Sequence, residues 1–215
     1  ISTFRDAGGL WDKYPVMQVA SAEGYVRDPE LVINFYNERR KQLLDVEPNA
    51  GHTGLAELEK DFNVTVVTQN VDNLHERAGS THVIHLHGEL TKVCSSRDPY
   101  NPRYVRELKP EEYEVKMGDK AGDGSQLRPF IVWFGEAVPE IETAIGYVEK
   151  ADIFVIIGTS MNVYPAAGLL NYVPRTAEVY LIDPKPVDTH SMRQIHVIQK
   201  GASEGVKELT AEILH

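Results

Sequence analysis

Ile153-Phe154-Val155-Ile156-Ile157-Gly158-Thr159-Ser160 is a short apolar run closed by a glycine and two hydroxyl-bearing residues. Unbroken apolar character in a short β-branched run is how a strand covered on both faces reads, because neither face has to carry polar groups to water. Comparable runs occur at residues 64–68, 130–134, 179–182 and 196–198, and helical patterns separate them at residues 29–44, 53–61, 139–150, 164–172 and 203–214. Strands alternating with helices predict an α/β fold: a Rossmann-like parallel sheet with right-handed crossovers and helices on both faces. Residues 90–126 break this rhythm with Pro99, Pro102, Pro110 and the loop Gly118-Asp119-Lys120-Ala121-Gly122-Asp123-Gly124, which predicts a small inserted module.

Composition narrows what such a fold can do. The chain has 215 residues, of which 42% are hydrophobic, enough for one well-buried core with a smaller subdomain. A net charge of −10 argues against nucleic acid and anionic membrane as partners, since both need a cationic face; a basic, lysine-bearing peptide is compatible. The apolar runs are too short to span a bilayer, and no charged-then-apolar leader opens the chain. A soluble, cytoplasmic monomer is the expectation. Ile1 is neither an initiator Met nor preceded by a strand, so a further N-terminal piece is expected in the natural protein. The single cysteine, Cys94, forbids an internal disulfide and any zinc site built of several thiolates.

Two segments carry candidate chemistry. Thr68-Gln69-Asn70-Val71-Asp72-Asn73-Leu74-His75 follows a buried run directly. In doubly wound folds ligands gather at the carboxyl ends of strands, so its carboxamides and carboxylate could hold a polar cofactor; an Asn/Asp turn explains the same residues equally well. Val83-Ile84-His85-Leu86-His87-Gly88-Glu89-Leu90 alternates like a strand, with His85 and His87 on one face and Ile84 and Leu86 on the other. Two histidines at this spacing lack the further ligands that a metal needs, and a strand histidine is usually a hydrogen-bonded core residue. Work as a general base would require a neighbouring substrate hydroxyl.

Together these segments resemble the sirtuin family, and further motifs follow in the family's order. Thr3-Phe4-Arg5-Asp6-Ala7-Gly8-Gly9-Leu10-Trp11 resembles the cofactor loop, Trp133-Phe134-Gly135-Glu136 the substrate-binding strand, and Gly158-Thr159-Ser160 with Val163-Tyr164-Pro165-Ala166 the segment meeting the NAD ribose. The resemblance implies NAD-dependent protein-lysine deacylation, with acylated lysine side chains as partners. In that reaction the acyl amide oxygen attacks the ribose anomeric carbon as nicotinamide leaves, and a neutral imidazole takes a ribose hydroxyl proton, giving free lysine, nicotinamide and O-acyl-ADP-ribose. Carried over residue by residue, His87 is the base, acting with Asn70 and Asp72. Phe4, Arg5, Trp11, Gln69, Asn70, Asp72, Gly158, Thr159, Ser160, Asp183 and Ala202 bind the cofactor. Val132, Phe134, Gly135 and Glu136 face Met161, Asn162 and Val163 as the two edges that hold a peptide by strand addition. The implied organisation is an NAD-binding domain of residues 1–13, 46–90 and 128–215, a helical module of residues 14–45, and the inserted module at residues 91–127.

Tyr36 and Arg39 stand at i and i+3 in the helical pattern of residues 29–44, neighbours on one face. The pair matches the Tyr/Arg motif of class III sirtuins, which remove succinyl, malonyl or glutaryl groups, and Ala20 matches the small residue that enlarges the same pocket. A guanidinium fork accepts a carboxylate in two charge-assisted bonds while the phenol adds a third contact. On residues alone, Arg39-Arg40-Lys41 could equally be a solvated cationic face.

The chain departs from the family at three places. Most sirtuins hold a structural zinc with two Cys-x-x-Cys pairs; here only Cys94 is present, which predicts a zinc-free module packed on Tyr100, Tyr104, Val105, Leu108 and Tyr113. The family's Gly-Ala-Gly-Ile-Ser stretch, which cradles the NAD phosphates, falls around and before Ile1. Ile182-Asp183-Pro184-Lys185 stands where the family commonly has an Asn near the adenosine. Two other functions fit the same frame. A sirtuin-fold ADP-ribosyltransferase is disfavoured by Tyr36, Arg39 and Ala20, and a non-catalytic NAD or ADP-ribose sensor by the set Asn70, Asp72 and His87.

Overall fold

A computed structural model describes residues 13–159, 166–189 and 193–215. In chain order its main elements are helices α1 (Pro29–Leu44) and α2 (Ala50–Glu57), strands β1 (Val66–Thr68), β2 (Val83–His85), β3 (Gly88–Ser95), β4 (Arg106–Glu107) and β5 (Leu127–Ile131), helix α3 (Ile141–Val148), strands β6 (Ile153–Ile157), β7 (Glu178–Ile182) and β8 (His196–Ile198), and helix α4 (Ala202–Ile213). They fall into two compact units. One comprises the described residues up to Glu47 with Asn70–Asn73 and His85–Pro139, the other Pro48–Gln69, Leu74–Ile84 and the described residues from Glu140 onward.

The second unit is Rossmann-like. Strands β6, β7 and β8 pair in parallel in that order, with Ile153 opposite Glu178, Ile157 opposite Ile182, and Ile182 opposite Ile198. The strand expected at residues 153–157 has those bounds, but its burial differs from the expectation. The central strand β7 is buried from Val179 to Ile182, whereas β6, at the edge of the described sheet, is mostly half-buried. Helix α4 lies on this sheet through Val206 and Leu209, packed with Tyr180, Ile182 and Ile198. Gly205 sets the approach: a Cβ there would stand 2.2 Å from Cγ2 of Ile182. Helix α2 starts at Ala50, three residues before the expected start, because Asn49 caps it. The Asn49 carboxamide accepts the N–H groups of Gly51 and His52, and the His52 imidazole accepts the Asn49 N–H.

The first unit is built on the antiparallel order β4-β3-β5, with Val93 opposite Pro129 and Ser95 opposite Leu127. This corrects two expectations. The run at residues 130–134 is not a parallel strand: the strand is Leu127–Ile131 and pairs antiparallel with β3. Residues 83–90 are not one strand either, because the chain turns at Leu86 and His87 between β2 and β3. Gly88 resumes the ladder at φ +88°, where a Cβ would stand 2.1 Å from the Phe130 carbonyl oxygen, so only glycine allows so close an approach. Leu86 and His85 are both buried, and the expected division into a histidine face and an aliphatic face is lost.

Of the residues expected to form the module's core, only Leu108 lies in it. Ile33 of α1, Val93, Leu108, Val115, Ala121 and Leu127 form it, with Tyr25 against them, while Tyr100, Tyr104, Val105 and Tyr113 are only partly buried. Helix α1 has the expected bounds, fixed by Pro29 in its first turn and by Asp28, whose carboxylate accepts the Leu31 N–H. Its inner face is polar as well as apolar. Asn37 pairs with both main-chain groups of Val115, and Arg40, 3% exposed, donates to the Leu90 and Tyr113 carbonyls and to Asn37. Arg40 is therefore no part of a solvated cationic face; burial draws its pKa down to about 10, still protonated at neutral pH. Among the described residues no helix is long and apolar enough to cross a membrane.

Candidate active site

In the first unit the segments bearing the candidate catalytic residues are tied together by one side-chain and one main-chain hydrogen bond. After β1 the chain enters Asn70–Asn73, and this stretch is tied twice to the next one: the buried His85 imidazole donates from Nδ1 to the Asn70 carbonyl at 2.9 Å, and the Leu90 N–H donates to the Val71 carbonyl at 2.7 Å. These bonds bracket His87 and hold it beside the stretch carrying Asn70 and Asp72. His87 is half-buried at the turn into β3, and its carbonyl accepts the Val132 N–H at 2.9 Å. His85 thus has the structural role open to a strand histidine, and an acidic neighbour absent from the sequence reading stands near it, with Glu89 Oε1 3.9 Å from His85 Nε2.

The same unit carries the candidate acyl pocket. Phe134 donates its N–H to the Ala20 carbonyl at 2.9 Å and accepts the Ala22 N–H at 3.3 Å, so residues 20–22 are paired to the segment that leaves β5. Ala20 is buried. Tyr36 is 1% exposed, and burial pushes its phenol up to about 12, against the pull of the Arg39 charge and of a hydrogen bond from Trp133. The Arg39 guanidinium carbon lies 5.9 Å from the ring centres of both Phe35 and Tyr36. Burial lowers the Arg39 pKa, while Tyr36 and the charge of Asp72 support the cation.

Residues 132–136 show a feature the sequence did not announce. Glu136 turns inward: its carboxylate accepts both terminal nitrogens of Arg128 at 3.0 and 3.1 Å and the Trp133 N–H at 2.9 Å. Any substrate-edge role of Glu136 therefore rests on its main chain, and Gly135, at φ +91°, turns the chain between them. Burial opposes both charges of the pair, yet the pairing outweighs it, holding Glu136 below the usual carboxylate range and raising Arg128. The signal in the sequence was Arg128 itself, a cation inside an apolar strand that must have a buried partner.

In the second unit the carboxyl ends of the parallel strands gather polar groups. Gly158 follows β6 at φ +58°, and a Cβ built on it meets no atom of the described residues within 4 Å. The Gln69 carboxamide donates to the Thr159 hydroxyl at 3.3 Å, Asp183 after β7 accepts the Lys185 N–H at 2.8 Å, and Ala202 opens α4 at an N-terminus with no side-chain cap. An open glycine turn beside a hydroxyl, a carboxamide and a carboxylate suits the ribose hydroxyls and amide of a dinucleotide, so these residues fit NAD. Phe4, Arg5, Trp11, Ser160, Met161, Asn162 and Val163 lie outside the described residues.

The Rossmann-like second unit, with polar groups at its strand ends, and the first unit, which carries His87, Tyr36 and Arg39, are those of an α/β protein of the nucleotide-binding class. The Sir2 family model matches residues 1–165, and the chain belongs to that family. It is 85% identical over 209 residues to a Bacteroides thetaiotaomicron protein named NAD-dependent protein deacylase, covering 97% of this chain and 89% of that one. A Helicobacter pylori protein of the same name is 48% identical over 214 residues, covering 100% of this chain and 91% of that one. Among solved structures, a Sir2 homologue in complex with NAD superimposes with a TM-score of 0.84 at 35% identity, over 100% of this chain and 83% of that one.

Proposed function

We propose that this chain is an NAD-dependent protein-lysine deacylase that removes acidic acyl groups, succinyl and malonyl, as well as acetyl, and that its inserted module works without zinc. Membership of the Sir2 family and the names of its relatives support the deacylase activity. The observation that carries the acidic-acyl reading is the pairing of Tyr36 with Arg39: a buried phenol that stays protonated and a guanidinium lying over its ring, both in the unit that also bears His87. A carboxylate at the end of the acyl chain would receive the guanidinium fork and the phenol proton together. An acetyl group has nothing there to receive them.

When bound, NAD supplies the ribose carbon from which nicotinamide departs. Gly158, Thr159 and Asp183 would hold it in the second unit, while Asn70 and Asp72 carry a nicotinamide-end role by their match to the family motif. His87 takes a ribose hydroxyl proton, a task suited to a neutral imidazole. The His85 side-chain bond and the Leu90 main-chain bond on either side of His87 fix the backbone that carries it. Cys94 supports the zinc-free reading: it is the sole cysteine, it is fully buried, and burial pushes its thiol up to about 12, whereas zinc takes a thiolate. Stoichiometric zinc in the purified protein overturns that part.

The deciding experiment is Arg39→Met, assayed with NAD and matched succinyl-lysine and acetyl-lysine peptides. Losing a two-pronged charged contact should lower kcat/KM for the succinyl peptide about a hundredfold or more and change acetyl turnover little. Equal loss on both peptides sinks the acidic-acyl reading.

A further inference from the structure

Tyr36 has one hydroxyl proton to give, and its neighbours decide where that proton goes. Trp133 is 2% exposed, and its indole Nε1 lies 3.1 Å from Tyr36 Oη. An indole N–H can only donate, so the Tyr36 oxygen is the acceptor in this bond and its own proton must be directed to another group. A hydroxyl that already accepts a hydrogen bond is also the stronger donor in the next one, because the two dipoles polarise each other.

The indole itself is fixed on several sides. The Tyr25 ring lies 5.1 Å away, the Tyr36 ring 6.2 Å, and the Arg128 guanidinium stands over the indole face at 4.0 Å. That cation draws on the ring electrons and sharpens the N–H as a donor. Glu136 holds both ends of the arrangement, since it binds the Arg128 guanidinium and accepts the main-chain N–H of Trp133.

We propose that Trp133 is a positioning residue for acidic-acyl recognition: its indole N–H fills the acceptor side of Tyr36 Oη and commits the Tyr36 proton to the acyl carboxylate, beside Arg39. The proposal rests on the acidic-acyl reading given above. It also assigns Arg128 and Glu136 a purpose, which is to keep the indole at the angle that the Tyr36 oxygen requires. An acetyl group offers no acceptor at that depth, so its turnover does not depend on the bond.

The test is a double-mutant cycle with Trp133→Phe, Tyr36→Phe and both together, each assayed on succinyl-lysine and acetyl-lysine peptides. Phenylalanine keeps an aromatic ring beneath Arg128 and removes only the donor and one ring. Loss of one neutral hydrogen bond should raise KM for the succinyl peptide about five- to tenfold, leave its kcat nearly unchanged, and shift acetyl turnover by less than about twofold. In the Tyr36→Phe background Trp133→Phe should change the succinyl-to-acetyl ratio no further. Equal loss on both peptides, or a selective loss that persists without the Tyr36 hydroxyl, overturns the proposal. If Arg39→Met is selective for succinyl and Trp133→Phe is not, this proposal alone falls; if neither is selective, the acidic-acyl reading falls with it. Should Trp133→Phe fail to fold, the unaltered protein decides. Its Trp133 indole N–H resonance, assigned through its contact with the Tyr36 ring, should move on binding the succinyl-lysine peptide and stay in place with the acetyl-lysine peptide. A resonance that responds to both alike, or to neither, overturns the proposal.

Discussion

The parallel sheet β6-β7-β8 and the antiparallel sheet β4-β3-β5 solve the same problem, holding a strand against its cover, by different means. In the parallel sheet the contacts are aliphatic and aromatic: Tyr180, Ile182 and Ile198 pack on Val206 and Leu209, and the glycines of α2 and α4 let the helices come close. In the antiparallel sheet an apolar cluster is joined by polar side chains that bind main chain. Asn37 holds Val115, Arg40 holds Leu90 and Tyr113, and Arg128 with Glu136 holds the turn at Trp133. Aliphatic packing has no preferred direction, whereas a hydrogen bond weakens steeply once it is misaligned. Directional bonds therefore set much of the geometry of the unit that bears His87, Tyr36 and Arg39, whereas in the other unit Arg193 gathers several, donating to the Val173, Arg175 and Ala177 carbonyls.

Substitutions can break this contrast. Arg128→Met should have the largest effect, because it leaves the Glu136 carboxylate, half-buried and drawn below its usual pKa, without its partner; breaking a buried pair costs about 3–5 kcal/mol. Urea denaturation reads it directly, and a loss under about 1 kcal/mol would show that packing on Trp133, not the ion pair, holds the turn. Next in size is Leu209→Ala, a truncation at a fully buried position of α4, expected to cost about 2–4 kcal/mol. The two should differ in kind as well as size. Leu209→Ala should leave the succinyl-to-acetyl preference as it is, while Arg128→Met should erode it through Trp133.

The same contrast explains what the sequence disclosed. The run Ile153-Phe154-Val155-Ile156-Ile157 names its own strand because apolar continuity is a local property of the chain. Helix α1 was legible for a similar reason, with Pro29 and its periodic pattern in one segment. The antiparallel strand β5 was placed three residues late, at residues 130–134, because Leu127-Arg128-Pro129 does not read as apolar; its charge is absorbed by Glu136, eight residues on. His85 and His87 alternate in sequence as a strand would, but the turn between β2 and β3 answers to Gly88 and the Phe130 carbonyl, a contact over forty residues that no local pattern records. Of the candidate site, Tyr36, Arg39, Asn70, Asp72 and His87 were named from motifs. Arg128, the bond from Trp133 to Tyr36 and the orienting bond from His85 were not, since their roles exist only once the chain is folded.

The smallest expected effect concerns a polar staple at the tip of the antiparallel sheet. Asp123 accepts the Ser125 hydroxyl at 2.6 Å and the Ser95 hydroxyl at 2.5 Å, and these bonds hold its carboxyl down at about 2, from an ordinary 3.8. A carboxylate whose folded pKa is depressed stabilises the fold above its unfolded pKa and loses that contribution as pH falls through the folded value. Its window is therefore about pH 4 to 2. Across that window Asp123→Asn should flatten the fall of the melting temperature with pH, since an amide keeps the shape and carries no proton equilibrium. Leu209→Ala should lower the whole curve and leave its slope, because no titrating group is lost. An Asp123→Asn curve parallel to that of the unaltered protein would mean that the Ser95 and Ser125 bonds serve only to shape the loop.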